Sequence, residues 1–231
     1  ETIRQNSATG TPLVDLITAQ GALPGIKVDK GLKPIEGLEE NLTQGLEGLD
    51  ERLKEYYDLG AKFTKWRAVI NIGKDLPSEA AISANMEALA SYAKIVQDNK
   101  MVPMVEPEVL MDGDHTIEAC FEVTSRCLDS LFSNLHKSGV NIEGTILKPN
   151  MITSGSSAKE QAGVQEVAEQ TLQCLKANVP DNLPGITFLS GGQSDLNATE
   201  NLNLINKYNN TNFLMTYSYG RALQQLSLIH I

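Results

Sequence analysis

Phe63-Thr64-Lys65-Trp66-Arg67-Ala68-Val69-Ile70-Asn71-Ile72 is followed by a helical stretch over 77–98, and then by Met101-Val102-Pro103-Met104-Val105-Glu106-Pro107-Glu108-Val109-Leu110. The two outer segments are short and rich in Val, Ile, Thr, Phe and Met, the composition of buried strands. The middle segment carries apolar residues at three- and four-residue spacing with polar residues between them. Pro77-Ser78-Glu79 reads as its start, with proline in the first turn. Strand, helix, strand is the unit that builds a right-handed crossover and a parallel sheet.

Outward from this unit the rhythm repeats. Segments 25–30, 144–151, 185–192 and 213–220 are predicted as further strands, and 42–59, 115–136, 162–177 and 196–208 as helices. No Asn-Gly hairpin signal separates the strands. The Gly-, Pro- and Glu-rich stretch 31–41 is read as a βα loop. No GxGxxG or Walker loop follows a strand, which weakens a nucleotide-binding reading. Two α/β architectures fit: an open doubly wound sheet, or a (β/α)8 TIM barrel represented by six of its eight strands.

Composition narrows the function. The chain has 231 residues, 41% hydrophobic and 21% charged, with a formal net charge of −10. The acidic balance argues against nucleic acid, whose phosphates need a basic face. No apolar run reaches the roughly 18–20 residues of a spanning helix, so no membrane anchor is expected. Cys120, Cys127 and Cys174 are an odd number without CxxC spacing. They are expected as buried thiols in a reducing cytoplasm, and no metal is expected. Neither His115 nor His136 has a partner at ligand spacing, and Asp112-Gly113-Asp114 is read as capping the next helix. Sequons at Asn41, Asn197 and Asn209 are read as chance matches, because Glu1-Thr2-Ile3-Arg4 carries no secretion signal. Leu226-Ser227-Leu228-Ile229-His230-Ile231 matches the translation of a common transposon-end sequencing adapter. The expected organisation is therefore one partial barrel domain over 1–225 and a non-native tail over 226–231.

Charged and polar residues gather at the carboxyl ends of the expected strands. With a period of two, Lys27 and Asp29 share a face, Lys65 and Arg67 share a face opposite Trp66, and Glu106 and Glu108 share one across Pro107. Lys148 ends an apolar strand, Ser190-Gly191-Gly192 ends the next, and Ser218-Tyr219-Gly220-Arg221 ends the last. A single such lysine could be a sheet-edge charge. Six strands each contributing polar chemistry at one end point instead to the mouth of a barrel, where active sites lie. The set is mutually compensating and suits an anionic substrate. A neutral lysine amine attacks carbonyls, and burial or a neighbouring cation makes that form accessible. Lys148 fits this Schiff-base role and Glu106 fits acid/base catalysis. The Ser190–Gly192 turn exposes backbone N–H groups suited to phosphate, and Arg221 adds a clamp.

Six stretches resemble class I fructose-bisphosphate aldolases. They are Gly25-Ile26-Lys27-Val28-Asp29-Lys30-Gly31, Lys65-Trp66-Arg67, Val105-Glu106-Pro107-Glu108, Leu147-Lys148-Pro149-Asn150-Met151, Gly185-Ile186-Thr187-Phe188-Leu189-Ser190-Gly191-Gly192-Gln193-Ser194 and Ser218-Tyr219-Gly220-Arg221-Ala222-Leu223. The resemblance implies a barrel that reversibly cleaves fructose 1,6-bisphosphate into dihydroxyacetone phosphate and glyceraldehyde 3-phosphate, with no cofactor and as a homotetramer. It implies Lys148 as the Schiff-base lysine, Glu106 as the acid/base residue of carbinolamine dehydration and Lys65 as its support in C–C cleavage. Glu108 is implied as the carboxylate that organises the lysines. Lys27, Asp29 and Arg67 line the site, with Arg67 toward the second phosphate. Ser190, Gly191, Ser218, Gly220 and Arg221 match the phosphate-binding set. By this alignment Glu1-Thr2 falls just after the family's second strand. The first strand's Ala-Ala-Asp-Glu-Ser aspartate and the terminal tyrosine are then absent, and six strands leave two open edges. The alternatives are an inactive fragment, a phosphometabolite-binding scaffold, or another Schiff-base barrel lyase. Phosphate ligands from two successive late strands favour a bisphosphate substrate.

Overall fold

A computed structural model describes residues 2–220 and 222–223. The expected tail at 226–231 lies outside the described residues. In chain order the strands are β1 (Gly25–Lys27), β2 (Leu32–Pro34), β3 (Asn41–Thr43), β4 (Phe63–Ile70), β5 (Val102–Val109), β6 (Ile146–Leu147), β7 (Gly185–Phe188) and β8 (Leu214–Tyr217). The α-helices are α1 (Leu13–Ala19), α2 (Leu49–Asp58), α3 (Glu79–Asp98), α4 (Ile117–Lys137), α5 (Val164–Asn178) and α6 (Asp195–Tyr208). Six strands form one parallel sheet in the order β1-β4-β5-β6-β7-β8, and a helix crosses between each successive pair. One register layer runs the whole width: Lys27, Lys65, Met104, Ile146, Gly185 and Leu214 stand level.

Helix α3 shows why these segments fold as they do. Ile82, Met86, Leu89, Ala93 and Val96 recur at three- and four-residue spacing and are all buried. The Ser78 side chain accepts the Ala81 N–H at 3.1 Å and caps the helix, so Pro77 stands before the cap rather than in the first turn. Buried Tyr92 stacks on Trp66 with ring centroids 5.4 Å apart, and its hydroxyl lies 2.7 Å from Thr64 Oγ1. Burial pushes the Tyr92 phenol far above its ordinary value.

Four further expectations are corrected. The stretch 31–41 contains the β2–β3 antiparallel hairpin. Its strands are three residues long and β2 ends in Pro34, which donates nothing to a ladder, so no strand pattern shows. The helix expected over 42–59 starts only at Leu49. Gly45 and Gly48 hold φ of +130° and +60°, and Leu42-Thr43 is taken by β3. The strand expected over 144–151 pairs only at Ile146–Leu147, after a short 3-10 turn at Ile142–Gly144. Asp112-Gly113-Asp114 is too far upstream to cap α4; Thr116 does so, accepting the Ala119 N–H at 3.3 Å. Instead this loop zips onto the one after β6: Gly155, Ser156 and Ser157 donate to the carbonyls of His115, Met111 and Gly113.

Cys120, Cys127 and Cys174 are buried, unpaired thiols, as expected. Burial pushes Cys127 up to about 12 and Cys174 up to about 11, from an ordinary 9.0. Between pH 9 and these values the unfolded chain loses thiol protons that the folded chain keeps. Stability from this source is complete below pH 9 and is lost as pH rises through that window. The urea midpoint of the native chain should therefore fall more steeply above pH 9 than that of a Cys127→Ala/Cys174→Ala variant; equal slopes would refute this.

Candidate active site

Alternation along β4 turns Trp66 toward α3 and sends Lys65 and Arg67 to the helix-free face of the sheet. Glu106 and Glu108 on β5 meet them there: Lys65 pairs with Glu106, and Arg67 Nε donates to Glu108 Oε2. From the other side comes Lys148, directly after β6. Its Nζ lies 3.0 Å from Glu106 Oε1, while Lys65 Nζ lies 2.6 Å from Oε2. One carboxylate, its side chain 4% exposed, thus holds two lysines from the strands on either side of it. Oε2 is buried and makes no directed hydrogen bond among the described residues, so its contact with Lys65 is an ion pair.

A second pair lies beside the first. Burial works against the Arg67 charge, but the Glu108 hydrogen bond and the charges of Glu108, Glu106 and Asp29 outweigh it and hold the guanidinium above its ordinary value. The Asp29 side chain is 5% exposed; its Oδ1 pairs with Lys27 Nζ at 2.5 Å and its Oδ2 accepts the Arg67 N–H at 3.3 Å. It joins the ends of β1 and β4 while Lys27 extends into solvent. Thr43 Oγ1 adds a bond to the Arg67 carbonyl at 2.8 Å.

The turn after β7 completes the rim. Gly191 and Gly192 take φ of +54° and +89°. A Cβ on Gly191 would come within 2.6 Å of Leu189 Cδ1 and 4.0 Å of Glu108 Oε1, so this turn abuts the paired carboxylate. Ser218 N donates to Phe188 O at 2.8 Å, which sets the end of β8 beside that of β7 and brings Ser190 and Ser218 to neighbouring strand ends. Gly220 is exposed there. Arg221 lies outside the described residues. Burial raises Tyr219 to about 12, and its hydroxyl donates to the Ala198 carbonyl on α6, which makes it an anchor for this segment.

Sequence reasoning passed over several supporting residues. Thr43 sits in the unrecognised hairpin. Arg52 on α2 donates to the Val28 carbonyl at 3.0 Å and to that of Gly45, fastening the chain after β1. Asn150, two residues after Lys148, is buried and fully bonded. Its signal was a polar side chain in an otherwise apolar strand end. Among the described residues no group of three or more His, Cys, Asp or Glu is placed to hold a metal, and no helix is long and apolar enough to cross a membrane.

The site thus sets an amine against a buried carboxylate, with a glycine turn and cations around it. Similarity to known proteins shows the family. The family model "Fructose-bisphosphate aldolase class-I" matches residues 1–230. A "Probable fructose-bisphosphate aldolase class 1" of Xanthomonas axonopodis pv. citri is 55% identical over 229 residues, 99% of this chain and 69% of that protein. "Fructose-bisphosphate aldolase 6, cytosolic" of Arabidopsis thaliana is 49% identical over 99% of this chain and 64% of its own length. A solved structure of Plasmodium falciparum fructose-bisphosphate aldolase, in complex with TRAP and a small-molecule inhibitor, superposes with a TM-score of 0.97. It is 47% identical, over 99% of this chain and 67% of that one. The chain belongs to the class I fructose-bisphosphate aldolase family, and its parallel sheet is six strands of that family's (β/α)8 barrel.

Proposed function

We propose that this chain carries the Schiff-base machinery for reversible cleavage of fructose 1,6-bisphosphate to dihydroxyacetone phosphate and glyceraldehyde 3-phosphate. The observation that carries the reading is the Glu106 carboxylate between Lys65 and Lys148, at 2.6 and 3.0 Å. Lys148 transfers a proton to Glu106 and its amine adds to the substrate C2 carbonyl, giving a carbinolamine. Glu106 then protonates the leaving hydroxyl, water departs, and an iminium remains on Nζ. Glu106, a carboxylate again, takes the C4 hydroxyl proton as the C3–C4 bond breaks; the electron pair of that bond passes into the iminium, the aldehyde leaves, and an enamine remains on Nζ. That proton is returned to C3 of the enamine, and a water then hydrolyses the resulting iminium, which releases dihydroxyacetone phosphate and restores the amine. Lys65 pairs with Glu106 from the other side and supports the cleavage step, and Glu108 holds Arg67 toward the far phosphate. Ser190, Gly191, Ser218, Gly220 and Arg221 take the near phosphate, with Lys27 and Asp29 at the rim. The reading extends to a cytoplasmic homotetramer, supported by the family resemblance and, for location, by a relative named as cytosolic.

Borohydride added in the presence of dihydroxyacetone phosphate should reduce the iminium and leave a stable adduct on Lys148, located by peptide mass spectrometry. An adduct confined to other lysines, or none, would sink the proposal.

A further inference from the structure

We infer that Asn150 is a positioning residue that sets the height of Lys148 against Glu106, an inference that rests on the roles proposed above for those two groups. The parallel ladder between β5 and β6 ends early. Lys148 N donates to Val105 O at 2.8 Å, but Pro149 has no N–H, and its carbonyl turns the other way to accept Leu189 N at 3.1 Å. Beyond Lys148 the main chain therefore parts from β5 and turns toward β7. On β5, Pro107 likewise has no N–H to satisfy. The next donor on that side, Val109 N, would be stranded in the interior, at a cost comparable to a lost hydrogen bond.

Asn150 replaces the missing rung. Its Oδ1 accepts Val109 N at 3.1 Å, and its Nδ2 donates to Met151 O and Thr124 Oγ1, each at 3.1 Å. Nδ2 also lies 3.8 Å from Cys120 Sγ. The amide orientation is dictated by this network, because Val109 N needs an acceptor and Met151 O needs a donor. Thr124 and Cys120 belong to α4, the crossover from β5 to β6. A single side chain, 6% exposed, thus ties together the strand end after Glu108, the strand end after Lys148 and the helix between them. Among the described residues, the next backbone bonds between these two segments past Lys148 come only at residues 155–157, which donate to the carbonyls of His115, Met111 and Gly113. Asn150 is therefore the tie nearest the 3.0 Å Lys148–Glu106 pair.

The test compares Asn150→Ala, Asn150→Asp and Thr124→Val with the native protein for turnover, for single-turnover borohydride trapping at Lys148, and for the pH profile of kcat. A misplacement of about 1 Å at a reacting pair lowers rate roughly 100-fold, so Asn150→Ala should lower kcat by about 10- to 100-fold with KM within about threefold. Trapping should slow in parallel, and the pH profile should shift. Asn150→Asp keeps the acceptor for Val109 N and should recover part of kcat. Thr124→Val removes one partner of Nδ2 and should lower kcat by roughly threefold, in proportion to one weakened hydrogen bond. If Asn150→Ala does not fold, the Thr124→Val result decides. Native trapping rate and native pH profile in variants that only melt earlier would overturn the inference. Absence of a Lys148 adduct in the native protein would instead overturn the proposed function on which it stands.

Discussion

Lys148→Met is expected to abolish turnover while leaving the fold and the anion sites in place. Methionine has a stem of similar length and fits the same apolar strand end, but it has no amine to form the iminium. With no electron sink for the C3–C4 pair, turnover should fall by at least about 10,000-fold, or ~5.5 kcal/mol in the barrier. Affinity for dihydroxyacetone phosphate, measured by calorimetry, should change by less than roughly tenfold, because phosphate contacts supply most of it. Residual cleavage above a few per cent would place the nucleophile elsewhere. Retained binding with no cleavage in the unmodified protein either would point to a phosphometabolite-binding role instead.

Glu106→Gln carries the second large effect, and it acts on two properties at once. The amide keeps the shape but removes the counter-charge shared by Lys65 and Lys148, whose side chains are only 18% and 13% exposed. Breaking a buried pair by removing one partner costs about 3 kcal/mol. In a chain of this size that is a melting point lower by roughly 6–12 °C. Loss of the proton-transfer group should separately lower kcat by about 100- to 10,000-fold. The two effects are separable: a Glu108→Gln variant disturbs the neighbouring Arg67 pair and should lower stability with a smaller loss in kcat. If Glu106→Gln melted earlier yet turned over at the native rate, its role would be structural only.

The sequence carried most of this arrangement, for a physical reason. Strands buried on both faces read as apolar runs, so Lys65, Glu106 and Lys148 stood out as charges needing partners, and the partners were one another. The helices of 14–21 residues had enough turns to show their periodicity. What stayed hidden was local and short. Helix α1 spans seven residues and the hairpin strands three each, too few for a pattern to rise above the surrounding composition. The early parting of β6 from β5 depends on where Pro149 sends its carbonyl, which is a property of tertiary pairing. The inward turn of Asp29 onto Lys27 and the Arg67 backbone was equally invisible. Alternation says which face a side chain takes, not which atom it meets.

Trp66 gives the site a built-in optical signal. It is the chain's single tryptophan, wholly buried, with no hydrogen bond to its Nε1 among the described residues, and it lies between Lys65 and Arg67 in sequence but on the opposite side of the strand. Its fluorescence therefore samples the strand that carries both cations from the face opposite Lys65 and Arg67. A change in that emission on adding a sugar phosphate would report a changed environment behind β4.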